Sequence, residues 1–303
     1  MSKYFDNKET FLGATTTQYG NHMVMTNVMK PGKTKYINID TRFKDNYETD
    51  VLSKQTITLP ERYTEVRNIS VVNAEIPMSY YNISSALGNN SFIIKKLANE
   101  TDTEHIIIPD GEYTIDELCS KIAAYNRIAG VTVDSYTYKI NLTLADAHVE
   151  SLIDFTIDGS GNRTRFGFKS SLGWLLGFRK PIVTTDIALN SAPSIPSITG
   201  PRYLYLVVDE FTSSGNQSSF VSPLPNSLIN KNILARISVS KQDYPFGSIM
   251  PANLYNGLLM SDVRSYTGKV DIQKLNVQLV NEFGNVINLN VDDFSFCLKI
   301  EHE

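Results

Sequence analysis

The sequence predicts a mainly β protein, a single antiparallel jelly-roll sandwich interrupted by an inserted α+β domain. Short apolar/polar runs with a period of two, typical of half-buried strands, occur near both ends of the chain. Long loops rich in proline and glycine separate these runs, which favours a sandwich or jelly roll. The clearest helical pattern lies in the middle third, which therefore differs in character from the two ends.

The domain boundaries follow from these patterns. Residues 1–32 are polar and have no sustained period, so we expect an extended N-terminal arm, with a disordered tail as the alternative. Residues 33–84 and 198–303 carry the β pattern and form the predicted jelly-roll domain. Residues 85–197 form the predicted inserted α+β domain, and the Pro/Ser-rich stretch 191–201 leads back out of it.

The first β segment predicts three strands, at 36–39, 56–59 and 66–76, the second ended by Pro60 and the third by a further proline. Within the third strand, the apolar positions change parity between Val71 and the next residue. Either a β-bulge or a strand buried on both faces would produce this change.

The middle third predicts a hairpin (90–97 and 105–109) followed by a helix. Thr114 and Glu117 have the spacing of a capping box, apolar residues then recur every three or four positions, and Gly130 is the predicted stop. Beyond it the pattern predicts strands at 131–133, 136–144 and 153–157, a turn at 158–162 and a short helical turn at 172–178.

The last third predicts strands at 203–208, 233–239, 275–279 and 294–300. Residues 282–285 contain the glycine and asparagine that a tight reversal needs, so we expect the last two strands to pair with each other. In the 203–208 strand the tyrosines share the face opposite the leucines, which indicates that both faces are covered.

Composition excludes several function classes. The net charge is −4, and lysine and arginine occur singly or in pairs, which leaves no footprint for nucleic acid. No stretch approaches the roughly 18 apolar residues of a membrane span. Cys119 and Cys297 have no partner at ligand spacing, so we expect two reduced, buried side chains.

No catalytic, cofactor-binding or metal-ligating residue is predicted, and no cofactor. No GxSxG motif occurs, and no catalytic neighbourhood surrounds any of the four histidines, His22, His105, His148 and His302. The carboxylate pairs at 116–117 and 292–293 are adjacent in sequence, which predicts a helix N-terminus and a turn rather than a glycosidase. A β-sandwich hydrolase stays as a third alternative.

Aromatic residues are the conspicuous surface candidates. We expect Trp174 to be a buried anchor of the inserted domain, with an exposed ligand platform as the alternative. Tyrosines fall on predicted strand edges and loops, which suits surfaces that another subunit covers, although core tyrosines would give the same pattern. They are Tyr80, Tyr81, Tyr136, Tyr138, Tyr203, Tyr205, Tyr244, Tyr255 and Tyr266.

Six stretches carry a resemblance to a known family: YINIDTRFKDNY (36–47), VRNISVVNAEIPMSYYNI (66–83), IPDGEYTIDEL (108–118), LGWLLGFR (172–179), YLYLVVDEF (203–211) and LNVQLVNEFGNVINLNVDDFSFCLKI (275–300). Their order resembles the penton, or vertex, capsid proteins of virophages and related polinton-like and giant DNA viruses. These stretches are strand and turn patterns, not chemical signatures.

The resemblance implies a single jelly roll with an outward-pointing insertion. It implies homopentamers at the fivefold vertices of an icosahedral virion, in contact with the major capsid protein, and no catalytic residues. The chain would be made in the host cytoplasm. The alternative is a receptor- or glycan-binding module displayed at the vertex through the inserted domain, whose host partner would be a receptor or glycan.

Overall fold

The computed structural model describes residues 32–45, 54–98, 102–146, 148–211 and 232–302. The predicted arm, 1–32, lies outside the described residues except for Gly32. The elements in chain order are β1 (Lys33–Asp40), β2 (Lys54–Pro77), β3 (Ser91–Lys96), β4 (Thr103–Ile107), α1 (Ile115–Ile122), β5 (Ile128–Val133), β6 (Ile140–Leu144), β7 (Ser151–Asp154), α2 (Leu172–Leu175), β8 (Ile182–Thr185), β9 (Leu189–Ser191), β10 (Tyr203–Asp209), β11 (Ile233–Ser238), β12 (Ile249–Asn253), β13 (Leu259–Ser261), β14 (Arg264–Val280) and β15 (Ser295–His302).

The described chain is mainly β, and its antiparallel sheets are curled, in agreement with the predicted jelly-roll-like sandwich. The largest sheet has eight strands in the order β1-β15-β2-β14-β10-β11-β13, with β12 also paired to β2. The middle of the chain forms two smaller sheets, β4-β3-β7-β8 and β5-β6-β9. Short 3-10 turns lie at Thr41–Phe43, Ser85–Leu87 and Phe168–Ser170.

Strand β2 runs unbroken for 24 residues, so the prediction of two strands separated at Pro60 was wrong. Proline lacks the backbone N–H that a continuous ladder needs. Here the register of β2 with β14 shifts between the pairs Thr58–Lys274 and Tyr63–Ile272, and Pro60 lies within that irregular stretch. The strand therefore passes the proline without losing a regular ladder bond.

The predicted β-bulge is confirmed at Val72. Cys297 of β15 is opposite Asn73, and the next residue of β15 is opposite Val71, so Val72 is the extra residue. Next to the bulge, the amide of Val71 donates to the hydroxyl of Ser261 on β13, at 3.0 Å. This hydrogen bond holds β13, the last strand in the sheet order, against β2.

The expected pairing of the last two strands was wrong. The reversal itself exists, since the Asn281 amide donates to the Asn285 carbonyl at 2.9 Å and Val280 bridges to Val286. Strand β14 already has β2 on one side and β10 on the other, so neither of its edges is open. The chain therefore crosses over, and β15 lies between β1 and β2.

The helix α1 begins as predicted. The Thr114 amide donates to the Glu117 carboxylate at 2.8 Å, and the Glu117 amide donates to the Thr114 hydroxyl at 3.3 Å, which completes the capping box. The helix ends at Ile122, well before the predicted stop, and Gly130 lies inside β5. Only one face of the helix is buried, the face that carries Leu118, Cys119 and Ile122. The chain then turns and enters β5.

Two large hydrophobic cores are separate in sequence. One draws its buried residues from 37–87 and 204–300, inside the large sheet. The other draws them from 83–192, between α1, α2 and the smaller sheets. A third, small cluster of Tyr205, Val207, Ile233 and Val280 covers the opposite face of β10, so this strand is buried on both sides as predicted.

The core of the middle segment predicts the effect of one added methyl group. A Cβ at Gly173 would overlap the Phe155 ring, whereas a Cβ at Gly130 meets no atom within 4 Å. Overpacking a core costs about 1–3 kcal/mol, and alanine in a helix regains at most about 1 kcal/mol. We therefore expect Gly173→Ala to lower the melting temperature by several degrees, while Gly130→Ala leaves it nearly unchanged.

The same variant tests the proposed division into a jelly-roll domain and an inserted domain. Trp174 is the single tryptophan of the chain and lies in the middle segment, so its fluorescence reports the unfolding of that segment. Circular dichroism in the far ultraviolet reports the helices and strands of both segments. If the segments are separate domains, Gly173→Ala shifts the fluorescence transition, while part of the circular dichroism change stays at the wild-type temperature. An equal shift of both signals would contradict the division.

Candidate functional site

The residues considered for catalysis are dispersed. His105 lies in β4, His148 in a turn and His302 at the end of β15, while His22 lies outside the described residues. Within the described ranges, no three His, Cys, Asp or Glu side chains are grouped so that they could hold a metal ion. Burial raises the pKa of the Cys119 thiol to about 11, so this sulfur stays protonated and weakly nucleophilic at neutral pH.

The two carboxylate pairs have structural contacts. Hydrogen bonds from the backbone and side chain of Thr114 lower the pKa of Glu117, as its role in the capping box requires. Asp293 accepts a hydrogen bond from the Thr41 hydroxyl at 2.7 Å and lies 3.7 Å from the ammonium of Lys44. Both predictions, a helix N-terminus and a turn contact, are confirmed.

The glycine-rich stretch 158–162 is a hairpin turn, as predicted. Ile157 bridges to Arg163, and the Asp158 carboxylate accepts from the amides of Ser160 and Asn162 at 2.9 and 3.0 Å. These amides are therefore satisfied within the turn, and their geometry is that of a turn closed by its own aspartate.

A partly buried ion pair joins the middle segment to the large-sheet part of the chain. The Lys241 ammonium lies 2.8 and 3.1 Å from the two carboxylate oxygens of Glu112. It also lies 5.2 Å from the centre of the Tyr80 ring, and the Asn82 amide donates to the same carboxylate at 2.9 Å. This contact fixes the orientation of the middle segment close to the point where it leaves the sheet.

Beside this contact, the two parts of the chain enclose a cleft of about 440 Å³, which we name the junction cleft. The middle segment supplies the α2 side of its wall, and the large-sheet part supplies the start of β10 and the loop after β14. The residues that give it its character are Lys169, Trp174, Arg179, Arg202, Glu282 and Phe283.

Trp174 is half-buried, so the prediction of a buried anchor was wrong. Its ring packs edge-on against Phe168, with 5.7 Å between the ring centres, and the Arg179 guanidinium lies 4.1 Å from its centre. Arg179 is held there by hydrogen bonds from Nη1 to the carbonyls of Trp174 and Phe178, at 3.0 and 2.8 Å. Because α2 is a single turn at the surface of its core, Trp174 also borders the cleft.

Among the described residues that line the cleft, Glu282 is the one acidic side chain. It is half-buried, and its Oε2 accepts no hydrogen bond from any described residue. Burial raises the pKa of its carboxyl group, and the nearby charge of Arg202 acts in the opposite direction. The carboxylate is thus poorly solvated and has an unused acceptor.

The tyrosines differ in exposure. Tyr80 and Tyr205 are buried in the cores, and Tyr136, Tyr138 and Tyr255 are largely exposed. The other four, Tyr81, Tyr203, Tyr244 and Tyr266, are half-buried. Further exposed apolar side chains lie along β1, at one end of the large sheet, and around β12 and β13. Tyr36 and Phe43 accompany β1, and a second set, Ile249, Leu254, Tyr255, Met260 and Val263, surrounds β12 and β13.

Among the described residues, no helix has the length and apolar character needed to cross a membrane. The longer of the two helices, α1, has eight residues.

Comparisons with known proteins give likenesses in structure. No family model matches the chain, and no curated protein matches its sequence. A chain of the Sputnik virophage, solved by cryo-EM, is similar over 90% of this chain and 98% of its own, with 15% identity and a TM-score of 0.40. The mavirus penton protein is similar over 89% of this chain and 100% of its own, with 7% identity and a TM-score of 0.39. The sequence motifs favour that penton protein within its family, and it is among the solved structures that this chain resembles.

Sequence reasoning missed the junction cleft. Arg179, Arg202 and Glu282 belong to different elements, and Glu282 follows Arg202 by 80 positions. The one available signal was the spacing of Trp174 and Arg179. They lie five residues apart, and a glycine lies between them near the end of the short predicted helical turn.

Glu282 predicts a specific pH dependence. A carboxyl group whose pKa is raised by folding adds stability below its ordinary pKa, and that stability is lost as the pH rises through the raised value. Glu282→Gln should therefore melt at a higher temperature than the wild type at pH 7, and the difference should shrink towards pH 4.

Glu301→Gln is the control of opposite sign. Hydrogen bonds from Lys299 and Asn68 lower the pKa of Glu301, so its stabilisation is present at neutral pH and lost on acidification. This variant should melt below the wild type at pH 7, with the gap closing as the pH falls. Identical melting curves of wild type and Glu282→Gln across this range would contradict the assignment.

Proposed function

We propose that this chain is a structural capsid protein that forms homopentamers at the fivefold vertices of an icosahedral virion and contacts the major capsid protein. The observation that carries the proposal is the exposure of apolar and aromatic side chains at both terminal strands of the large sheet. The resemblance of the six sequence stretches to penton proteins supports the same function.

The two ends of the large sheet, β1 and β13, are different strands, so a contact between them joins two different surfaces of the subunit. Among the described residues, β1 pairs only with β15, and β13 pairs only with β11. Unpaired strand edges are surfaces to which another chain can add. A contact between two different edges is heterologous, and such contacts generate a closed ring when the rotation between subunits closes.

The β1 edge and the β12–β13 edge therefore form the proposed subunit interface. Tyr36 is 64% exposed on the first, and Met260 is 61% exposed on the second. Large apolar side chains of this kind are enriched in the centres of protein interfaces. We propose that residues 1–32 reach towards the capsid interior or a neighbouring subunit, that the protein resides in the virion, and that it is made in the host cytoplasm.

A second candidate function is recognition of a host receptor or glycan through the middle segment. The junction cleft favours it, because ligand sites are commonly concave and lie between domains. This function is compatible with the first, since a vertex protein exposes part of its surface to the host.

Native mass spectrometry of the full chain tests the primary function. We expect a species with five times the mass of one chain. Tyr36→Asp or Met260→Asp should shift the population towards monomers, because a buried unpaired carboxylate opposes association. Ile187→Asp is the matched control, since Ile187 is 58% exposed but lies in the middle segment, and it should leave the pentamer intact.

A chain that stays monomeric over the micromolar range, and also when expressed with the major capsid protein of the same virus, would overturn the proposal. So would assemblies that are insensitive to both edge substitutions.

A further inference from the structure

The junction cleft has the size of a small-molecule site. Its volume of about 440 Å³ falls within the roughly 300–1,000 Å³ of typical ligand pockets. It is a recess between two packed bodies whose relative position the Glu112–Lys241 ion pair maintains. Its walls are thus held by separate cores and are available without a rearrangement.

The charge of the cleft is positive and largely uncompensated. Lys169, Arg179 and Arg202 line it, against the single carboxyl group of Glu282. In the part of the chain that the structure describes, neither Lys169 nor Arg202 has a carboxylate within ion-pair distance. Arg202 is exposed and presents a planar fork of donors, which matches a carboxylate in a bidentate way. These side chains predict an anionic ligand.

The rest of the cleft wall has features that a binding site for an inorganic anion does not need. Trp174, Tyr203 and Phe283 supply ring surface, which an inorganic anion does not use. Ser170 and Ser197 line the cleft as well, and the Ser170 hydroxyl donates to the Gly167 carbonyl at 2.7 Å. The Oε2 of Glu282 accepts no hydrogen bond from the described residues, and buried acceptors are normally paired with a hydrogen-bond donor.

A ligand that meets all of these features has a carboxylate, several hydroxyl donors and a C–H face that packs on aromatic rings. We propose that the junction cleft binds an acidic oligosaccharide through a carboxylate-bearing sugar. Arg202 pairs with the carboxylate, Trp174 and Phe283 contact the sugar ring, and Glu282 accepts a sugar hydroxyl. This proposal deepens the second candidate function and rests on it.

Other ligand classes fit less well. A neutral sugar would leave the guanidinium of Arg202 and the ammonium of Lys169 unused. A nucleic acid needs a basic surface that follows several phosphates, whereas these cations surround one recess of a chain with a net charge of −4.

The single tryptophan makes the test direct, because any change in its emission reports on the cleft wall. The full chain is titrated with sialyllactose and with a glucuronate-containing disaccharide, and lactose and sulfated lactose serve as the neutral and non-carboxylate comparisons. We expect a saturable change in Trp174 emission with at least one carboxylated sugar, and binding at least tenfold tighter than that of lactose and sulfated lactose. Isothermal titration calorimetry of the same samples gives the affinities independently.

Two variants assign the binding to the cleft. Arg202→Gln should weaken binding of the carboxylated sugar at least tenfold. Arg163→Gln removes the same charge from an exposed position of the middle segment outside the cleft, and it should retain the wild-type affinity. Both side chains are exposed, so unchanged melting curves will show that the fold is intact.

Equal affinity of the carboxylated sugars and lactose, equal affinity of sulfated lactose, or wild-type binding by Arg202→Gln would each overturn the proposal. Native mass spectrometry of the same preparation keeps the two functions apart. If the protein is a pentamer but binds no acidic sugar, the ligand proposal is refuted and the capsid function is retained. If it is a monomer that binds the sugar, the capsid function is refuted and the ligand proposal is retained.

Discussion

The pairing of β2 on both of its edges is the constraint on which the rest of the structure depends. One edge of β2 pairs with β15 between Val66 and Glu75, and the other edge pairs with β14 and then β12. Strands from the first and last thirds of the chain are thereby brought into one sheet. Beside the bulge at Val72, the amide of Val71 donates to Ser261 and holds β13 against the same strand.

This sheet determines where the middle segment can sit. The chain leaves at the end of β2 and returns at the start of β10, so the segment emerges from one end of the large sheet. Its own core is made almost entirely of its own residues, from 83 to 192. It is joined to the sheet by the ion pair of Glu112 with Lys241 and by Leu87, which packs in the core of the large sheet. The junction cleft lies between the two parts, beside these contacts.

The acidic pairs and the Cys119 thiol have structural roles in the described part of the chain. The acidic pairs cap a helix and fix a turn, and the Cys119 thiol is protonated by burial. Two surface features of the described residues remain, the exposed apolar side chains at β1 and around β12 and β13, and the cations that line the junction cleft. The former suit contact with other subunits, and the latter suit contact with a small anionic ligand.

The sequence by itself determined the local structure. The capping box at Thr114, the bulge at Val72 and the two buried faces of β10 follow from side-chain periodicity and backbone donors, which act over a few residues. Only the tertiary structure decided how the strands are paired. Pro60 stays within β2 because the ladder is irregular there, and β15 joins β1 and β2 because both edges of β14 are occupied. The cleft likewise exists only in the folded chain, because Arg179, Arg202 and Glu282 meet through the packing of two cores, which periodicity does not encode.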